Sequence, residues 1–139
     1  MRTKLTFAQS ITAGFLAGLA AAVINALVYL GFHATGVLSN TILVQPNEHL
    51  TLMPVVMASI VPALLGSLVF FLLEKFTNNG FRNFAILTVV LTALSMASPF
   101  TVPLNGTTGF ALVLCLMHLV VPGTLLYFLR KRGQQEIAI

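Results

Sequence analysis

Apolar residues fall into four long blocks separated by short polar stretches, the pattern of a polytopic helical membrane protein rather than of one large soluble core. The first block, about 11–32, holds no charge and is long enough to cross a hydrocarbon core about 30 Å thick at about 1.5 Å per residue. The second, about 52–73, is closed by Glu74 and Lys75, and the fourth, about 110–129, by Arg130, Lys131 and Arg132. The third, about 82–98, meets Pro99 and Pro103, and proline also biases Ser98 away from helix. About 17 residues barely cross, so Phe100, Val102 and Leu104 are expected to continue as extended chain at the membrane boundary. Irregular backbone at that depth must be covered by protein or face water, which predicts a recess on this side.

Arg2 and Lys4 precede the first block like the n-region of a signal peptide, but the apolar run exceeds the usual length of about 7 to 15 residues, so it is read as a retained span. Every basic residue lies at a terminus or between spans two and three: Arg2, Lys4, Lys75, Arg82, Arg130, Lys131 and Arg132. The positive-inside rule then places both termini and the 74–83 loop in the cytoplasm, with 33–51 and 99–109 outside. The expected fold is an all-α, up-down-up-down bundle of four transmembrane helices, a single domain over 1–139. In the first outer loop, Val37 to Val44 is β-prone between Gly36 and Pro46-Asn47 and predicts a short extended flap. That flap either packs its apolar residues on the end of the bundle or covers a binding recess.

Small residues suggest how the helices meet. Gly14, Gly18, Ala22 and Ala26 recur every four residues in span one and make a smooth face for close backbone approach. Ala58, Ser59, Ala63, Gly66 and Ser67 do the same in span two, and Ala85, Thr88, Thr92 and Ser95 in span three. Bulky residues such as Phe70 are assigned to lipid. The same smooth faces suit a homo-oligomer or a larger membrane complex.

Composition removes several classes of function. With 58% hydrophobic and 7% charged residues, the chain's main partner is the lipid bilayer. The net charge of +4 comes from three small groups with no continuous stripe, so nucleic acid is excluded. One cysteine, Cys115, precludes an internal disulfide or a CxxC pair. No nucleophile–base set, HExxH or phosphate loop is present, so no enzyme and no cofactor are expected. Glu48, Glu74 and Glu136 lie outside the spans, which disfavours proton-coupled drug export.

His118 is the ionisable side chain deep within a span, near the midplane by helical rise. Pro122, four residues on, cannot donate to the His118 carbonyl, which leaves a free acceptor at the same level. Asn25 is the polar partner expected from span one. Two readings compete for His118: a ligand-binding or proton-responsive imidazole, and a neutral ring bridging helices. His33, Glu48 and His49 form a weak metal candidate without a recognised ligand spacing, better explained as solvated loop residues. Asn105-Gly106-Thr107 matches a glycosylation acceptor but is too common a tripeptide to carry weight. Glu74 is expected to pair with Arg82 or the Arg130–Arg132 group.

From Ala63-Leu64-Leu65-Gly66 through Leu73-Glu74-Lys75 to Met117-His118-Leu119-Val120-Val121, the chain resembles an uncharacterised family of bacterial four-helix membrane proteins, a domain of unknown function. The resemblance covers about two thirds of the chain, from span two onward. It implies a bacterial cytoplasmic (inner) membrane location and singles out His118, but brings no reaction or ligand. Two functions remain on the residues: an accessory or self-associating bundle, which predicts a filled, dry interior, and a binding or transport protein with an outward recess above His118 for a small amphipathic ligand.

Overall fold

The computed structural model describes residues 4–45, 47–101 and 105–135, without the side chains of Gln45, Glu48 and Gln135. Arg2, Pro46, Val102, Pro103, Leu104 and Glu136 therefore lie outside the described residues. Helix α1 is Phe7–Ala34, α2 Leu52–Phe76, α3 Gly80–Ser95, α4 Ser98–Thr101 and α5 Thr108–Gln135, with strands β1 (Leu43–Gln45) and β2 (Glu48–His49) between α1 and α2. Four stretches are long and apolar enough to span a bilayer: Phe7–Ala34, Leu52–Phe76, Gly80–Thr101 and Thr108–Gln134, with mean hydropathy of 2.1, 2.4, 1.8 and 2.2. The architecture is that of a four-helix membrane bundle.

Helix α1 starts earlier than its apolar run because Thr6 and Gln9 form a capping box. Thr6 Oγ1 accepts from Gln9 N–H, and Gln9 Oε1 accepts from Thr6 N–H at 2.8 Å. Its buried stripe is Ser10, Ala13, Gly14, Ala17, Gly18, Ala21, Ala22, Asn25 and Tyr29, three and four residues apart, so the small-residue face is a packing face. That face meets α2. A Cβ at Gly14 would overlap Ser67, and one at Gly18 would lie 3.1 Å from Ile60 Cα and 3.3 Å from the Ala63 methyl.

Three expectations need correction. Pro99 does not pass the chain into extended structure. After a break at Met96 and Ala97, residues Ser98–Thr101 make a helical turn, where a proline in the first turn forfeits no intrahelical bond. Phe70 is not lipid-facing. It is fully buried, edge-on to Phe84 with ring centroids 5.3 Å apart and to Phe81 at 6.4 Å. The strand, finally, begins only at Leu43 and pairs antiparallel with β2, Leu43 opposite His49; residues 37–42 form turns that bury Leu38 and Ile42.

Two clusters make the core. Tyr29, Leu38, Ile42, Leu50, Val55, Phe110 and Met117 fill the end that carries the hairpin. Leu5, Ala13, Ala17, Phe70, Phe84, Leu125 and Leu129 fill the end where the start of α1, the end of α5 and the α2–α3 turn come together. Lys4 reaches that turn and donates to the Thr77 carbonyl at 3.3 Å. Helix α1 packs on both α2 and α5, while α3 touches α2 and α5 more sparsely and buries only Gly80 and Phe84.

Candidate functional site

Because α3 buries side chains only near its Gly80 end and stands off along its middle, a partly open cavity of about 720 Å³ runs between α2, α3 and α5. This volume lies within the range of about 300–1,000 Å³ usual for small-molecule sites. Val44 and Leu50 rim it at the hairpin end, and Val69 and Phe84 bound it toward the other. From Pro54 to Val69 the α2 wall spans 15 positions, about 22 Å at 1.5 Å per residue. No charged residue is among the lining side chains, and the polar ones are Asn25, Ser59, Thr88, Thr92, Ser95 and His118.

A polar cross-brace lies behind the wall at one level. Asn25 Nδ2 donates to Ser59 Oγ at 3.0 Å and to the Met117 carbonyl at 3.3 Å, joining α1, α2 and α5. Ser59 Oγ donates in turn to the Val55 carbonyl at 2.9 Å. Asn25 is 3% exposed, and its Oδ1 is buried without a hydrogen-bond partner. Such an orphan acceptor carries a desolvation cost of about 1–3 kcal/mol.

His118 is half-buried on the cavity wall, and its Nδ1 lies 2.7 Å from the Leu114 carbonyl. A carbonyl only accepts, so Nδ1 carries the proton; in the neutral ring Nε2 then presents its lone pair. Pro122 lies on the same wall, and the α2 wall repeats the arrangement with Ala58 and Pro62. In each helix the proline withholds the N–H that would meet the carbonyl four residues earlier. His118 and Asn25, singled out separately in the sequence, thus share one cavity, and His118 adjoins Met117, which Asn25 braces.

Gly14, Gly18 and Ala22 are buried at the α1 packing face, away from this wall. His33 stacks on Tyr29 with rings 8° from parallel and its Nδ1 bonds to the Leu38 carbonyl, so its role is to hold the first turn after α1. Among the described residues no three His, Cys, Asp or Glu side chains are grouped to hold a metal, and the Glu48 side chain lies outside them. Asn105 spends its amide on the hairpin: Oδ1 accepts from Leu43 N–H at 3.2 Å and Nδ2 donates to the Thr41 carbonyl at 3.0 Å. Glu74 is buried where Gly80 packs on its backbone. The flap expected in the first outer loop both packs down, through Leu38 and Ile42, and contributes Val44 to the cavity rim.

Sequence reasoning missed the lining role of Ala58, Pro62, Thr88 and Thr92. The signal was the small and polar stripe of α3, read as a packing face, which instead fronts the open cavity.

No curated protein and no solved structure matches the chain. A family model matches residues 6–135, extending the resemblance through α1. The chain belongs to the family of unknown function DUF6069.

Proposed function

We propose that this chain is a non-catalytic, multi-pass protein of the bacterial cytoplasmic membrane that binds a small amphipathic molecule in the cavity between α2, α3 and α5. The cavity is the observation that carries the reading. An accessory bundle acting only through its helix faces has no use for an open space of about 720 Å³ lined along long stretches of three helices. Both termini face the cytoplasm in this reading. Its support is that Lys4, Lys75, Arg82 and Arg130 to Arg132 belong to the end of the bundle with the start of α1, the end of α5 and the α2–α3 turn, whereas the hairpin end has no Lys or Arg among the described residues. The rim at Val44 and Leu50 then faces outward, and the partly open flank gives access from the lipid.

The test is retention of a single-chain amphiphile, tetradecanol, by the full chain in lipid nanodiscs, read by native mass spectrometry. One molecule per chain is expected, lost on Ala58→Phe, which fills the cavity without touching the α1–α2 seam. Retention unaffected by Ala58→Phe, or no retention at all, would sink the proposal.

A further inference from the structure

The cavity's hydrogen-bonding inventory is lopsided. Both protons of the Asn25 amide go to Ser59 Oγ and the Met117 carbonyl. The Ser59 hydroxyl goes to the Val55 carbonyl, the Ser95 hydroxyl to the Thr92 carbonyl, and the His118 Nδ1 proton to the Leu114 carbonyl. What remains at the level of His118 is mostly lone pairs. His118 Nε2 has no partner among the described residues, and the Ala58 and His118 carbonyls lose their helical donors to Pro62 and Pro122. Asn25 Oδ1, on a residue that also lines the cavity, is buried and unpartnered. Only the Thr88 and Thr92 hydroxyls, across the cavity on α3, are free to take either role.

Building on the binding reading above, we propose that this acceptor-rich wall at the level of His118 selects a neutral single-chain amphiphile with a hydroxyl head, an alcohol rather than an acid or an amine. On the His118 side the head has to supply the proton, because the polar side chains there have committed their own, the free Thr88 and Thr92 hydroxyls standing across the cavity on α3. A carboxylate or phosphate head brings only further lone pairs and negative charge against oxygen and nitrogen acceptors, and no Lys or Arg lines the cavity to offset it. An alkylammonium head supplies donors, but its charge meets no carboxylate there and keeps the full cost of leaving water. A hydroxyl donates its one proton to His118 Nε2 without that cost and can accept in return from Thr88 or Thr92, and its chain lies along the apolar wall toward Val69 and Phe84.

The experiment compares tetradecanol, tetradecanoate and tetradecylammonium at equal mole fraction in nanodiscs holding the full chain, with bound stoichiometry read by native mass spectrometry. Tetradecanol is expected to bind about tenfold more tightly than either ion, the equivalent of one well-made hydrogen bond to a buried acceptor. His118→Leu is expected to remove most of that preference and leave the two ions unchanged; unaltered thermal melting confirms the fold. Equal binding of all three to the natural chain, or preference for an ion, overturns the head-group selection while Ala58→Phe sensitivity leaves the cavity reading standing. Binding of none overturns both. The comparison on the natural chain needs no variant to fold.

Discussion

Asn25 in α1 and Ser59 in α2 are joined by a buried hydrogen bond of 3.0 Å, 34 residues apart in sequence, and the same amide holds the Met117 carbonyl of α5. Polar bonds between helices in lipid contribute about 0.6 kcal/mol on average and about 1.7 at most. A double-mutant cycle of Asn25→Leu and Ser59→Ala, followed by denaturant titration in mixed micelles, is expected to give a coupling of about 0.5–1.5 kcal/mol. Strict additivity of the two losses would show that the bond is not formed in the membrane.

The α1–α2 seam predicts a graded glycine series. Alanine at Gly14 collides with Ser67 and the Ala63 carbonyl and should cost about 1–3 kcal/mol as overpacking. At Gly18 the clash with Ile60 is softer, and a helix-propensity gain of up to about 1 kcal/mol offsets it, leaving Gly18→Ala near neutral while Gly18→Leu disrupts assembly. Gly31 has nothing within 4 Å of its would-be Cβ, so Gly31→Ala should stabilise slightly. Thermal melts of the three alanine variants in one detergent check the order, and Gly14→Ala melting at or above Gly31→Ala would refute the seam.

Gly80 closes the α2–α3 turn against backbone. A Cβ there would stand 2.5 Å from Glu74 Cα and 2.7 Å from its nitrogen, atoms that no rotamer change can move. Gly80→Ala is therefore expected to cost about 2 kcal/mol or more and to widen the α3 approach, seen as increased labelling of Cys115, which now sits 3.8 Å from the Met96 carbonyl. Unchanged stability and labelling would mean that the turn is looser than its geometry states.

Orientation is checked by cysteine accessibility in a Cys115→Ala background. Thr35→Cys and Gly106→Cys, both exposed at the hairpin end, should react with an impermeant maleimide in intact cells, and Asn78→Cys at the α2–α3 turn only after lysis. Labelling of Asn78→Cys in intact cells inverts the proposed topology.

The four spans were legible because a bilayer demands about 20 apolar residues per crossing and leaves little room for alternatives. The α1 stripe was legible for a similar reason: Gly14 and Gly18 have little to offer except close approach. Phe70 is buried although its bulk suits lipid equally well. Its spacing places it inside, since Val55, Ser59, Ala63, Ser67, Phe70 and Glu74 follow one another at three or four residues along the buried face of α2. Pro99 was read as a stop although a helical turn accepts proline at its start. His118 and Asn25 could be named from their cost in a membrane, but not their shared cavity. Its existence depends on how far α3 stands from α5, a distance set by the Gly80 turn and the Phe70–Phe84 contact at one end of the wall rather than by the polar residues that give the wall its chemistry.

The uneven anchoring of α3 also divides the molecule's cooperativity. Helices α1, α2 and α5 are fastened by small-residue seams and a buried amide, whereas α3 contributes two buried residues, both near its first turn. An apolar helix loosened from its neighbours loses little in lipid, because the acyl chains that replace them are equally apolar. Helix α3 is thus expected to detach before the rest unfolds, with amides that exchange faster than those of α1, α2 and α5 and an ordering that any occupant of the adjoining space would have to complete.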